Sequence, residues 1–326
     1  MGGGSWDDNR YSSATATRAA TKTPDFAYSA TATHSTTPHD SLDPMRINKK
    51  PFGKLESRDS TEHPESNAVL VCFDVTGSNY NRAVEAQKKL PNLMTLLQKY
   101  LTDPQVAIAA NDDYNVEPHR SVQISDFESD NRIDDSIRNV LLVGNGGGNH
   151  GESYDLLLYA AARKTVLDCF EKRKRKGYMF LYADEPIFKF VTASQVKAVF
   201  GDNLQGEIPI AEIIEEVREQ YHLFLIWPEG GYPDAREQYE ELLGQEYVLR
   251  SQHPNLICEL IAATVAMNED RVAPADVKKD LLSIGASSAE ADNVITALAT
   301  IAKSKGEVTK TTGAVQASSA AGADRL

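Results

Sequence analysis

Ala68-Val69-Leu70-Val71-Cys72-Phe73, followed at once by Asp74-Val75-Thr76-Gly77-Ser78, is the stretch that decides the fold. Six consecutive apolar residues, without polar alternation, mark a strand covered on both faces. The chain then changes character within one residue. Asp74, Thr76 and Ser78, at alternate positions, direct one carboxylate and two hydroxyls toward one point, and Gly77 permits the tight turn. Such hard oxygen donors suit Mg²⁺, Mn²⁺ or Ca²⁺ rather than zinc. The same residue types are also ordinary turn and helix-cap residues. The spacing alone therefore leaves both readings open.

Working outward, apolar runs alternate with amphipathic stretches from Asn67 to Asn268. Residues 81–100 have helical spacing, with a kink expected at Pro91. Gln105–Ala110 and Ser121–Phe127 read as the next strands, and the short loop between them makes the latter an antiparallel edge. Residues 133–143 are amphipathic, and residues 152–171 read as one long helix. Tyr178–Ala183 and His222–Trp227 are further buried strands, and Glu246–Leu249 is a short last one. Helices are expected at 193–200, 210–221, 233–243 and 256–267. This pattern gives an α/β fold in three layers, doubly wound, with a mostly parallel six-stranded sheet and one antiparallel edge strand. In such sheets a ligand sits beyond the carboxyl ends of the strands, at the switch point of strand order. Three chain-distant loops meet that description: Asp74–Ser78, Asp184 after the Tyr178–Ala183 strand, and the loop Gly144–Glu152, which carries Asn149 and His150 and ends on a carboxylate.

These residues carry a resemblance. Residues 67–267 resemble the von Willebrand factor type A (vWA) domain, whose metal-ion-dependent adhesion site (MIDAS) has the pattern Asp-x-Ser/Thr-x-Ser after the first strand. Asp74, Thr76 and Ser78 match that pattern, and Asp184 matches the family's later aspartate. Many members place a threonine ligand in the intervening loop. This sequence has none there. Its Gly146–Ser153 stretch is similar instead to the subgroup, integrin β subunits among them, in which an acidic residue opens the following helix. On that resemblance Glu152 replaces the threonine, with Asn149 as a lesser candidate. The bland alternative for Glu152 is a first-turn acid favoured by the helix dipole. More loosely, the whole chain is similar to vWA proteins of bacteria and their phages, and its three scattered cysteines fit a reducing, cytoplasmic interior. The resemblance implies no catalysis. It implies Mg²⁺ (or Mn²⁺ or Ca²⁺) completed by an acidic residue of a protein partner. A second implication is an adaptor or assembly subunit working beside a ring ATPase of the AAA+ type through its flanking segments. A metal-dependent hydrolase would need a general base and a substrate pocket, and the sequence names neither.

Composition bounds the rest. The 326 residues carry 34 Lys and Arg against 47 Asp and Glu, a net charge of −13. That argues against a general nucleic-acid binder, which needs a basic face. Residues 67–268 hold 30 acidic and 19 basic side chains, so nearly all the acidity belongs to the central domain. Three scattered cysteines give no disulfide framework and no zinc motif. No apolar run reaches the ~18 residues of a membrane span, and the first residues lack a signal peptide's apolar region. Residues 1–66 contain 18 Ser or Thr and three Leu, Ile or Val. Such a stretch is expected to be a flexible arm, with Trp6, Tyr11, Phe26, Tyr28 and Phe52 as possible docking anchors. Residues 269–326 are expected to form a short helical pair, near 275–284 and 289–303, and a frayed tail. The basic run Lys172–Lys176 reads either as a nucleic-acid contact or as cations at a helix C-terminus before Gly177. Asp112 and Asp113 read as a charged lip or a second cation site. Cys72 reads as an inert core thiol.

Overall fold

In the computed structural model, residues 4–33, 36–142, 151–269, 273–299 and 301 are described. The elements, in chain order, are α1 (Asp8–Thr21), α2 (Ala27–Ala30), β1 (Leu55–Ser57), β2 (Asn67–Asp74), α3 (Tyr80–Lys88), α4 (Leu90–Tyr100), β3 (Pro104–Asn111), β4 (Val122–Ile124), α5 (Arg132–Arg138), α6 (Tyr154–Arg163), β5 (Thr165–Leu167), α7 (Asp168–Arg173), β6 (Gly177–Tyr182), β7 (Phe190–Val191), α8 (Ala193–Phe200), β8 (Ile208–Pro209), α9 (Ile210–Gln220), β9 (Tyr221–Pro228), α10 (Pro233–Leu243), β10 (Val248–Ser251), α11 (Ile257–Asn268), α12 (Pro274–Ser283) and α13 (Ser288–Ala297).

The sheet order is β10-β9-β6-β2-β3-β4, with all pairs parallel except β3–β4. The six-stranded sheet with one antiparallel edge is therefore as expected. β2 lies at its centre because its apolar run feeds both faces. Val69, Val71 and Phe73 join the core beneath α3, α4, α5, α11, α12 and α13. Ala68, Leu70 and Cys72 join the core beneath α6, α8, α9 and α10. This is the period-2 alternation of a strand expressed in a sequence with no polar alternation. Order reverses beside β2, since β3 follows it on one side and β6 lies on the other. The crevice at the carboxyl ends of β2 and β6 is the switch point.

Four expectations are corrected. The first is the mobile arm. Trp6, Tyr11 and Phe26 are buried in the β2–α4–α11 core, and α1 is capped by the Asp7 carboxylate, which accepts from the amides of Asn9 and Arg10. Arg18 makes a buried ion pair with Asp134 at 3.0 Å, and the Tyr11 hydroxyl donates to the Gln87 carbonyl at 2.8 Å. The amide of Ile124 on edge strand β4 donates to the Leu42 carbonyl, so the segment also covers an edge that would otherwise present open backbone groups. A segment with few aliphatic residues cannot build its own core, but it needs none when a domain supplies the opposing apolar surface.

The second correction concerns residues 152–171, which are two helices split by β5 rather than one. Thr165–Leu167 pairs in parallel with Leu55–Ser57, a partner more than a hundred residues away that local periodicity does not reveal. The amphipathic stretch 133–143 is helical only as far as Arg138, and beyond it the Gln123 side chain bonds both the amide and the carbonyl of Leu141. Third, the last strand begins at Val248 rather than Glu246. Fourth, the break expected at Pro91 falls at Lys89, between α3 and α4. The two tail helices form and pack on α11, with Val277, Leu281, Ala291 and Val294 buried. Among the described residues no helix is long and apolar enough to cross a membrane.

Candidate functional site

β2 ends on Asp74, which is fully buried. Its carboxylate closes the following turn. Oδ1 accepts from the Thr76 amide at 2.7 Å and the Thr76 hydroxyl at 2.6 Å. Oδ2 accepts from the Asn79 side-chain amide at 3.0 Å and the Tyr154 hydroxyl at 2.5 Å. An aspartate bonding its own backbone two residues on is the local reason for the sharp exit from the strand. Thr76 spends its single hydroxyl proton on Asp74, so its oxygen keeps lone pairs for another partner. Ser78 lies in the single helical turn Gly77–Asn79, and its side chain is outside the described residues.

Asp184 stands just beyond β6, one strand over. The Tyr154 hydroxyl, at the start of α6, reaches 3.5 Å from Asp184 Oδ1 while bonding Asp74. Tyr154 thus bridges the two strand-end carboxylates. The loop from β9 to α10 seals this corner. The Tyr232 amide donates to the Asp184 carbonyl, and a Cβ at Gly231 would come within 2.9 Å of the Trp227 ring and 3.1 Å of Asp184 Cβ.

Glu152 arrives from a third direction. Its amide donates to the Pro186 carbonyl, it forms a bridge with Ile187, and the Gly151 amide donates to the Glu185 carboxylate at 2.9 Å. Gly151 has φ +126, and a Cβ there would meet the Phe188 ring at 2.9 Å, so this close crossing of two loops needs glycine. Glu152 is 2% exposed, and its Oε2 is buried with no hydrogen-bond partner. Asn149, His150 and the rest of the 144–150 loop lie outside the described residues.

The electrostatics follow from this geometry. Burial, then repulsion from Asp184, raises Asp74 to about 7. Burial, then the Asp74 and Asp113 carboxylates, raises Glu152 to about 10. Burial raises Asp155, in the first turn of α6, to about 8. Tyr154 is pushed well above its ordinary value by burial and by Asp74. No basic side chain pairs with Asp74 or Glu152 among the described residues. Here carboxylates are held out of water without a countercharge, a costly arrangement that a protein relieves by protonation or by a cation. Among the described residues no three His, Cys, Asp or Glu side chains approach closely enough to hold a metal on their own. The acids are instead interleaved with the hydroxyls of Thr76 and Tyr154.

Asp112 and Asp113 are not an exposed lip. Both are buried, and Asp112 pairs with Arg120 at 3.2 Å. The basic run is committed to structure. Lys172 and Arg173 pair with Asp59, Arg175 with Glu269, and Lys176 donates to the Arg218 carbonyl. Cys72 is buried, and burial pushes its thiol up. Sequence reasoning missed Tyr154 and Asn79 as members of the site. Tyr154 reads as one more apolar residue of a helix face, and only the sheet shows that its hydroxyl meets Asp74.

No protein-family model matches the sequence, and no curated protein does either. Three solved structures are similar to it in part. The pilus adhesin SpaC from Lactobacillus rhamnosus GG, in its open conformation, aligns at 10% identity and a TM-score of 0.42, over 68% of this chain and 31% of the adhesin. Proximal thread matrix protein 1 from the mussel byssus aligns at 12% identity and 0.41, over 65% and 48%. A von Willebrand factor type A protein from Catenulispora acidiphila aligns at 16% identity and 0.37, over 62% and 42%. The chain spans less than half the length of each.

Proposed function

We propose that the carboxyl edge of the sheet is a divalent-cation site of the MIDAS kind in a vWA domain, and that the chain is a binding protein rather than an enzyme. The observation that carries this reading is the orphaned Glu152 Oε2, buried beside the uncompensated Asp74. The donor set fits a hard cation: Thr76 and Ser78 hydroxyls, with Glu152 and Asp184 carboxylates. Both oxygens of Asp74 are already engaged by protein donors. Asp74 would therefore serve by aiming the Thr76 oxygen and by adding charge. Tyr154 and Asn79 would keep Asp74 from rotating. A bound Mg²⁺ supplies one open position for a carboxylate of a protein partner. Metal and partner would then bind cooperatively, because the partner contributes a ligand.

Two measurements test this. Calorimetric titration of Mg²⁺ and Mn²⁺ should give binding heat in the wild type and none in Asp74→Ala. Affinity purification with and without EDTA should show partners that leave with the metal. Absence of heat and of a thermal shift with both ions would sink the proposal. Partners retained in EDTA would place the contacts on another face.

A further inference from the structure

Arg82 is a cation where local chemistry disfavours one. It stands in the first turn of α3, a turn with no acidic residue. The helix dipole presents partial positive charge at that end, so an arginine there lacks the favourable field it would have at the other. Glu85, one turn on and within reach by spacing, is committed to Lys88 at 2.9 Å. Arg82 is partly buried, yet no carboxylate pairs with it among the described residues. Nearby arginines are answered: Arg120 by Asp112 and Glu117, and Arg236 by Glu240.

What holds Arg82 is the strand-end site. Its Nε donates to Asn79 Oδ1 at 3.4 Å, and the amide nitrogen of the same Asn79 side chain donates to Asp74 at 3.0 Å. Its guanidinium lies over the Tyr182 ring, 5.1 Å from the centroid, at the end of β6 just before Asp184. The Tyr182 hydroxyl is buried without a hydrogen-bond partner. Burial raises that hydroxyl, Arg82 opposes the rise, and Asp184 and Asp74 add to it. The charge of Arg82 is therefore felt at the same corner as both strand-end carboxylates. Among the described residues its two terminal nitrogens have no acceptor. A planar fork with unspent donors, steadied by a ring and one hydrogen bond, fits a carboxylate bidentately.

Given the cation site proposed above, we propose that Arg82 is a second anchor for the partner: the site takes a segment with two acidic side chains, one completing the bound cation and one paired with Arg82. A single side-chain amide separates Arg82 from Asp74, and alternate residues of an extended segment, ~7 Å apart, match that scale. The spacing expected is acid-x-acid. In a chain of net charge −13, an uncommitted arginine beside a cation is the local feature that admits such a partner.

Fluorescence polarisation of the full chain in Mg²⁺, with labelled Gly-Asp-Gly-Asp-Gly, Gly-Asp-Gly-Asn-Gly and Gly-Asn-Gly-Asp-Gly peptides, tests it. Wild type should bind the two-acid peptide about tenfold more tightly than either one-acid peptide. Arg82→Gln should erase that preference while its Mg²⁺ affinity by calorimetry stays at or above the wild-type value, because only a repulsion of the ion is lost. Arg82→Lys, which keeps the charge without the fork, should retain part of the preference. A preference that survives Arg82→Gln overturns the proposal, as does wild-type binding of the two-acid peptide no tighter than that of the others, or absent at millimolar concentration. Equal weakening of all three peptides and of Mg²⁺ by Arg82→Gln also overturns it, by confining Arg82 to holding Asn79 and Asp74. Absence of Mg²⁺ heat in the wild type removes the cation site and this proposal together, whereas Mg²⁺ heat without the peptide preference removes this proposal alone.

Discussion

Replacing Glu152 by glutamine keeps the shape of the side chain and removes its titration. In the folded chain this carboxyl is raised from 4.5 to about 10. A folded-state value above the unfolded one means that the group's contribution is fully present below pH 4.5 and is lost as pH rises toward 10. At pH 7 the unfolded chain has released this proton and the metal-free folded chain has not. At about 1.4 kcal/mol per unit, the interval from 4.5 to 7 corresponds to an upper bound of ~3 kcal/mol of lost stability. Glutamine loses nothing over that interval. In EDTA at pH 7, Glu152→Gln should therefore be more stable than wild type, by ~1–3 kcal/mol. The difference should vanish near pH 4.5. In excess Mg²⁺ the order should invert, because the ion stabilises the carboxylate form by mass action and glutamine supplies no charge. Urea denaturation at pH 4.5, 7 and 8.5, with EDTA or Mg²⁺, reads all three. A Glu152→Gln protein that is less stable than wild type in EDTA at pH 7 would refute the reasoning, since it would mean that Oε2 has a protein partner. Equal Mg²⁺ stabilisation of both proteins would remove Glu152 from the ligand set.

Further outcomes follow from other residues. Asp74→Ala should abolish any Mg²⁺-induced thermal shift and any EDTA-sensitive partner binding, while circular dichroism stays that of a folded α/β protein. Tyr154→Phe deletes the 2.5 Å bond to Asp74 and leaves a buried carboxylate with one donor fewer. It should cost ~1–3 kcal/mol in denaturant unfolding and weaken Mg²⁺ binding in calorimetry, whereas a purely structural tyrosine would leave the calorimetry unchanged. Arg18→Ala strands the buried Asp134 carboxylate and should cost ~3 kcal/mol, although a mobile arm would make the same substitution silent. Asp74 is raised to about 7 and Asp155 to about 8. The metal-free protein should therefore lose thermal stability as pH climbs from 5 to 9 in EDTA, and Mg²⁺ should flatten that slope.

The sequence determined the sheet and the strand ends at which the candidate site was sought. β2 could be read because six apolar residues in a row have only a doubly covered strand to occupy, and Asp74 because a carboxylate directly after such a strand falls at its carboxyl end. Asp184 followed from the same logic at β6, and Glu152 from a glycine-rich loop ending at a helix. What the sequence could not decide was anything that depends on partners distant in the chain. β5 exists because Leu55–Ser57 lies beside Thr165–Leu167. The described part of the N-terminal segment, residues 4–33 and 36–60, is ordered because Trp6, Tyr11, Phe26 and Arg18 meet surfaces made by α3, α4 and α5, not because it carries a core of its own. Tyr154 enters the site because α6 sets its hydroxyl between two strand ends. Local patterning reports which face of an element is apolar. Only the packed structure reports which polar atoms have been carried inside with it, and whether anything there answers their charge.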